Sequence, residues 1–200
     1  MGSVGLLYVG AILFVNGMML LGWVRGDGAV PLNIFVGLLQ VITPTWLIVS
    51  SGGDADQIFA ASGLYLFGFT YLYVALNTIW GFDPTGLGWF SLFVAVAALG
   101  YAVVNVVTYE DYAFGVIWLL WAYLWWLFFQ LLARGRDDLT AHTGATAAVQ
   151  GWVTAAIPAF LILAGLWGDV PNPVLAVVIA VLGIGLPLIV RTRVAAPEPA

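Results

Sequence analysis

Long apolar runs alternate with short polar segments along the whole chain. A helix needs about 20 mostly apolar residues to cross about 30 Å of hydrocarbon. The runs that reach or approach this length are residues 3–24, 30–50, 57–80, 87–108, 112–133, 145–167 and 174–190. The pattern therefore predicts an all-α, polytopic membrane bundle of seven transmembrane helices. Because the connections are short, neighbours in sequence should pack as antiparallel neighbours.

Composition agrees with a single transmembrane domain over residues 1–200. The chain is 63% hydrophobic and 8% charged, against about 45–50% and about 25% in soluble domains. We expect a core at 1–167, an additional helix at 174–190 and a flexible tail at 194–200. The first run has no preceding basic residue and no following cleavage site, which predicts a retained helix. Lys is absent and the net charge is −5, so nucleic-acid binding is not expected.

The arginines predict the orientation of the chain. Basic residues in short loops stay preferentially in the cytoplasm. All five follow the first, fifth or seventh predicted span and so fall on one side, whereas the opposite side receives only acids. We therefore predict a multi-pass protein of the inner (plasma) membrane with its N-terminus outside and its C-terminus in the cytoplasm.

A faint internal repeat accompanies this pattern. Leu-Tyr-Val at 7–9 recurs at 72–74, and Phe-Val-Gly at 35–37 is echoed by Phe-Val-Ala at 93–95. Repeated hairpins commonly surround a central axis, with the permeation path at the repeat interface.

The fifth run carries an unusual set of tryptophans. Membrane helices keep most of their indoles near the water interfaces, but Trp118, Trp121 and Trp125 lie in the middle of this run and on one helical stripe. The stripe could face lipid, a neighbouring helix or a narrow lumen. In a lumen, a small planar amide could slide between the ring faces, while an ion would lose its hydration without gaining a counter-charge.

The spans contain no charged residue, and this absence bears on mechanism. Ion-coupled carriers and proton relays place charged or titratable side chains within the membrane, so their absence argues against such a carrier. One His, no Cys and no HExxH or GxSxG motif make an enzyme unexpected, and no cofactor or metal is implied.

Neutral hydrogen-bonding side chains do occur within the spans. They either join helices or line a path for a neutral polar solute. We single out Gln150, near the cytoplasmic start of the sixth span, as the best candidate for a polar contact in a path. The set consists of Asn16, Gln40, Thr70, Asn77, Asn105, Gln130 and Gln150.

Several segments together resemble the urea channel and amide transporter family (AmiS/UreI). They are residues 6–10 with 16–17, 33–37, 67–73 continuing to 77, 89–95, 117–121 with 124–125, and 157–159. The resemblance implies a helical bundle with its own pore in each protomer, and a homo-hexamer around a lipid-filled centre. It also implies pore positions at Leu6, Leu13, Phe67, Tyr71, Trp118, Trp121, Leu124 and Trp125, to which we add Asn16 and Gln150 as polar contacts.

Three departures from the family pattern limit what carries over. Gln150 stands where the urea channel has a glutamate, and the short 51–56 loop replaces a long histidine-bearing one. The only histidine, His142, is expected to be solvated in a cytoplasmic loop, so acid gating through outer histidines is not expected. The additional helix at 174–190 extends the six-helix pattern.

The sequence therefore predicts a passive channel for urea or short-chain aliphatic amides, which would supply a cytoplasmic urease or amidase. A proton-coupled amide transporter would use the same aromatic site but would need a titrating group. A structural membrane protein without a path would have a closed, dry core.

Overall fold

The computed structural model describes residues 2–193, with side chains as far as residue 191. Within these residues, seven helices are long and apolar enough to cross a membrane, which confirms the predicted number of spans. The helices are α1 Gly2–Leu20, α2 Gly26–Ser50, α3 Ala55–Trp80, α4 Thr85–Val107, α5 Tyr112–Arg134, α6 Thr140–Gln150, α7 Ile157–Leu163 and α8 Asn172–Arg193. A π-helical turn, Gly151–Ala156, joins α6 to α7, and together they form the sixth span.

Several helix ends differ from the predicted ones. The first helix ends at Leu20 rather than 24, and the sixth span begins at Asp137 rather than 145. Apolar content marks the part of a helix that lies in hydrocarbon, but backbone hydrogen bonding continues or stops independently of it. The earlier start places His142 in a helix instead of a loop. The predicted tail at 194–200 lies outside the described residues.

Capping residues fix the ends of the two helices that matter most for the site. The Asp54 carboxylate accepts a hydrogen bond from the Gln57 backbone N–H (2.8 Å) at the start of α3. The Asp111 carboxylate accepts one from the Phe114 N–H (3.0 Å) at the start of α5. These caps satisfy backbone donors that have no partner within the helix. We call this end of the bundle the acidic end, and the end with Arg25, Arg134, Arg136 and Arg191 the arginine end.

The spans associate mainly as three pairs: α2 with α3, α4 with α5, and α1 with the sixth span. Glycines bring the last pair together at two levels. A Cβ on Gly10 would lie 2.6 Å from the Gly151 carbonyl oxygen, and a Cβ on Gly17 would lie 2.6 Å from that of Gly144. Only glycine permits this backbone approach, as is common between membrane helices. The first and sixth spans thereby close the bundle.

The seventh span, α8, packs outside the bundle against α5 and α6. Ile179 is buried in this contact, and a Cβ on Gly183 would lie 2.6 Å from Leu120 Cδ1. Near the acidic end, Asn172 Nδ2 donates to Asp111 Oδ1 (2.9 Å), and Asn172 Oδ1 accepts from the Ala113 N–H (3.0 Å). The additional helix is therefore fastened to the helix that carries the tryptophan stripe.

Candidate functional site: two cavities and an aromatic constriction

Two cavities lie within the bundle, one towards each end. The wide cavity, about 600 Å³, opens towards the acidic end and is lined in part by Leu6, Val9, Phe67, Trp118 and Trp121. The narrow cavity, about 170 Å³, lies towards the arginine end and is lined in part by Leu13, Asn16, Tyr71, Asn77 and Trp125. Helices α1, α3, α4 and α5 contribute to both, so the two cavities follow one another along the same four helices.

The mouth of the wide cavity is polar. Its lining includes Asp56, Asn105, Tyr109 and Asp111. The Tyr109 hydroxyl donates to Asp56 Oδ1 (2.9 Å), and this hydrogen bond raises the pKa of the Tyr109 phenol. Beyond the mouth the lining becomes aromatic, so a solute entering from the acidic end would move from carboxylates to ring faces.

A layer one helical turn thick separates the cavities. Among the described residues none lines both. The nearest lining residues are four apart on α1 (Val9 and Leu13) and on α5 (Trp121 and Trp125), and three apart on α3 (Phe67 and Thr70). Four residues of α-helix rise about 6 Å. None of these side chains is charged and most are aliphatic or aromatic, so the layer is an uncharged, largely apolar constriction.

Phe67 is the ring around which this constriction is arranged. Its centroid lies 4.7 Å from that of Trp121 and 5.0 Å from that of Trp125, with interplanar angles of 73° and 83°. Such edge-to-face contacts are favourable because the positive edge of one ring meets the negative face of another. Phe67 is 2% exposed and fills the space between the two indoles.

Threonine hydroxyls hold the edges of the two indoles. Trp121 Nε1 donates to Thr154 Oγ1 (2.9 Å), and Trp125 Nε1 donates to Thr70 Oγ1 (3.2 Å). The Thr154 hydroxyl in turn donates to the Gln150 carbonyl oxygen (2.6 Å). Since Thr154 lies in the π-helical turn, this irregular turn determines where the Trp121 ring is anchored. Single π turns often occur at functional positions in helices.

Tyr101 forms the wall behind Trp118. The two rings stack with centroids 4.4 Å apart and an interplanar angle of 16°. The Tyr101 hydroxyl lies 2.6 Å from Ser62 Oγ, which fixes the phenol at its other end. Neither Tyr101 nor Thr154 was predicted from the sequence as a residue of the site. Tyr101 lies one turn before Asn105, which was noted as a polar residue within a span, and this spacing is the only signal that could have identified it.

The structure brings eight of the ten proposed pore residues to the two cavities. The wide cavity is lined by Leu6, Phe67, Trp118 and Trp121, and the narrow cavity by Leu13, Asn16, Tyr71 and Trp125. Leu124 and Gln150 are completely buried but line neither cavity. The tryptophan stripe on α5 therefore faces the interior of the bundle rather than lipid.

His142 differs from its expected environment. Its Nε2 lies 2.8 Å from the Tyr123 hydroxyl, and the side chain is partly buried between helices instead of solvated in a loop. The cause is the early start of the sixth span, which places residue 142 beside α5. Neither Tyr123 nor His142 lines the wide or the narrow cavity.

The family model for AmiS/UreI family transporters matches residues 1–166. The chain belongs to the AmiS/UreI family. An amidate substrates transporter protein of Mycolicibacterium smegmatis is 57% identical over 201 residues, which cover 99% of this chain and 93% of that protein. The acid-activated urea channel of Helicobacter pylori is 32% identical over 194 residues, covering 81% of this chain and 97% of that protein.

The fold of this AmiS/UreI transporter also matches a solved structure. The cryo-EM structure of the Helicobacter pylori urea channel in its closed state superposes with a TM-score of 0.76 at 30% identity, covering 84% of this chain and all of that one. The match establishes the channel fold and a family of transporters rather than enzymes. Helix α8 lies beyond the residues matched by the family model, whereas the alignment with the Mycolicibacterium smegmatis protein extends over it.

Proposed function

We propose that the protein is a passive channel for urea and short-chain aliphatic amides. Solutes enter the wide cavity, pass the constriction at Phe67, Trp121 and Trp125, and leave through the narrow cavity. The observation that carries this proposal is the uncharged aromatic layer between two cavities on one axis. The names of the relatives, an amidate substrates transporter and a urea channel, support the same class of solute.

The constriction selects by shape and charge. A planar neutral amide can lie between ring faces and exchange its hydration for weak contacts with π-electrons, each about 1 kcal/mol or less. An ion would lose far more hydration free energy in the same layer, since no described residue of the layer offers a counter-charge. Passage requires the rings to move apart, because the two cavities are separate in this conformation.

The remaining candidate residues support the walls in this proposal. Leu124 is buried beside Trp125, and the Gln150 backbone anchors Thr154 and therefore Trp121. We assign Leu6, Leu13, Asn16, Tyr71 and Trp118 to the lining. Gln150 thus acts through its carbonyl oxygen rather than by meeting the solute.

Assembly and orientation also belong to the proposal. By resemblance to the family, the protomers form a homo-hexamer with lipids in the central hole of an inner (plasma) membrane. The arginine end faces the cytoplasm, which places the N-terminus outside and could supply a cytoplasmic urease or amidase. Because the chain has no Cys, single cysteines at Gly53 and Gly135 can be labelled with a membrane-impermeant maleimide without background. The proposed orientation predicts that the reagent labels residue 53 from outside and does not label residue 135. Labelling of residue 135 alone would show that the orientation is the reverse.

Stopped-flow light scattering with proteoliposomes tests the transport mechanism. Urea and acetamide fluxes should exceed those of empty liposomes, follow the gradient and persist with a protonophore at equal pH on both sides. Uphill uptake that the protonophore abolishes would establish a proton-coupled carrier instead. Flux equal to that of empty liposomes would establish a structural protein without a path.

A further inference from the structure

Two side chains at the narrow cavity have hydrogen-bonding atoms without a partner among the described residues. They are Asn77, whose Oδ1 and Nδ2 are both buried, and Tyr71, whose hydroxyl is buried. Buried polar groups in proteins are nearly always paired, because leaving one unpaired is costly. Within a membrane span the cost is not relieved by lipid. These two side chains therefore point to a polar molecule that occupies the cavity.

The other polar side chains of the cavity are already engaged. Asn16 and Asn33 bond reciprocally through their amides at 3.0 and 2.8 Å. The Thr70 hydroxyl donates to the Leu66 carbonyl oxygen (2.7 Å), and the Ser91 hydroxyl donates to that of Leu87 (2.8 Å). Hydrogen bonds to a solute are therefore left mainly to Asn77 and Tyr71.

The opposite wall of the narrow cavity is apolar. Helix α5 contributes Trp125, Phe128 and Leu132, which lie at i, i+3 and i+7 and so on one helical face. No charged residue lines the cavity within the described part of the chain. Its volume of about 170 Å³ is several times the ~30 Å³ that one water molecule occupies in the liquid. A small molecule with one polar head and a short alkyl tail fits this two-sided lining.

We propose that the narrow cavity is a binding site for an aliphatic carboxamide, in which Asn77 pairs with the amide head and Tyr71 adds a third hydrogen bond. The Asn77 side chain offers one donor group and one acceptor, which match the acceptor and donor of another carboxamide in a paired arrangement. The alkyl tail lies against Trp125, Phe128 and Leu132. Urea fits less well, because its second amino group would face this apolar wall. The site rests on the proposed channel function and makes the channel prefer short-chain amides to urea.

The test is the ratio of acetamide to urea permeability in proteoliposomes containing the full chain. In Asn77→Leu this ratio should fall roughly tenfold, the size expected for one lost pair of hydrogen bonds. Tyr71→Phe should lower it about threefold, and Asn77→Gln should retain more than Asn77→Leu. The permeability of N,N-dimethylacetamide, which has no N–H donor, should change less than that of acetamide.

Gln40→Met is the matched control. Gln40 is also a completely buried carboxamide without a hydrogen-bond partner among the described residues, but it lines neither cavity. Its substitution should leave the ratio within twofold of the wild type. An unchanged ratio in both Asn77→Leu and Tyr71→Phe, or an equal change in Gln40→Met, would overturn the carboxamide site. No flux of any solute through the wild type would instead refute the channel itself.

If Asn77→Leu does not yield folded protein by size exclusion and circular dichroism, Tyr71→Phe decides alone. This substitution removes one oxygen atom and retains the ring, and an unchanged ratio in it would then refute the site.

Discussion

Trp125 and Trp126 are neighbours in sequence but lie on different faces of α5, one buried and one exposed. Trp125 is 1% exposed and lines the narrow cavity, whereas Trp126 is 43% exposed on the surface of the protomer. Both lie at a similar depth in the span, so depth in the membrane does not distinguish them. The two indoles are distinguished by contact with a neighbouring helix, because the Trp125 indole N–H donates to the Thr70 hydroxyl on α3.

The two faces of α5 differ in the same way along its length. The inward face has Trp118 and Trp121 in the aromatic core, while the outward face has Leu119 and Tyr123 exposed. An indole within a span is thus best assigned to the interior when a hydroxyl on another helix can accept from its N–H. Variants on the two faces should therefore have very different effects on flux.

Among the inward variants, Trp121→Ala should differ most in solute selectivity from a variant on the outward face such as Trp126→Ala. Removing this ring widens the constriction, so selectivity for acetamide over the bulkier glycerol should fall about tenfold or more, a change of about 1.4 kcal/mol in relative barriers. Trp126→Ala should change it less than twofold, as should Trp167→Ala near the acidic end. Both permeabilities are measured by stopped-flow light scattering. Equal small effects of all three variants would contradict the proposed slot.

Thr154→Val should have the next largest effect. Valine has nearly the same shape but cannot accept from Trp121 Nε1, so the ring loses its anchor and the acetamide-to-glycerol selectivity should fall about threefold to fivefold, near the value of one hydrogen bond. Thr154→Ser retains the hydroxyl and should restore selectivity. Thr146→Val, which removes a buried hydroxyl of the same span that is bonded to its own helix at His142 and lines neither cavity, serves as the control. Failure of the serine variant to differ from valine would remove Thr154 from the positioning of Trp121.

Tyr101→Leu should have a smaller effect, about twofold on urea flux, because the lost stack supports Trp118 from behind at the wide end of the path. Tyr101→Phe keeps the ring and loses only the contact with Ser62, so its flux should stay close to the wild type. If the two variants behave alike, the stacked ring does not shape the path.

The smallest effect is expected for the polar contact on the outward face. His142→Gln removes the contact with Tyr123 but touches neither cavity, so urea flux should remain within a factor of two of the wild type. Flux should also be the same at pH 7.5 and pH 5.5, since the constriction contains no titratable group in this range. A histidine-dependent change between these pH values would show that the outward face regulates the path.

Periodicity alone was enough to place the three indoles of α5 on one stripe, because residues at i, i+3 and i+7 share a helical face. It did not decide whether that stripe faces lipid or the interior. The partners of that stripe could not be obtained in this way. Thr154 reaches Trp121 only because the sixth span makes a π-helical turn. No pattern in the sequence predicted that turn. The choice between Asn77 and Gln150 as polar contacts depends on how each helix is rotated against its neighbours, which three-dimensional packing decides. The closeness of Gly10 to Gly151 likewise joins segments from opposite ends of the core.

That last contact has a consequence for biosynthesis. Helix α1 is synthesised on the order of 140 residues before the sixth span, against which it mainly packs. Synthesis of these residues takes about 7–30 s at about 5–20 residues per second. During this interval the face of α1 that carries Gly10 and Gly17 contacts lipid or an insertion factor. The wall formed by α1 and the sixth span is therefore completed late in synthesis. A chain released by a ribosome that stalls before the sixth span would lack this side of the bundle.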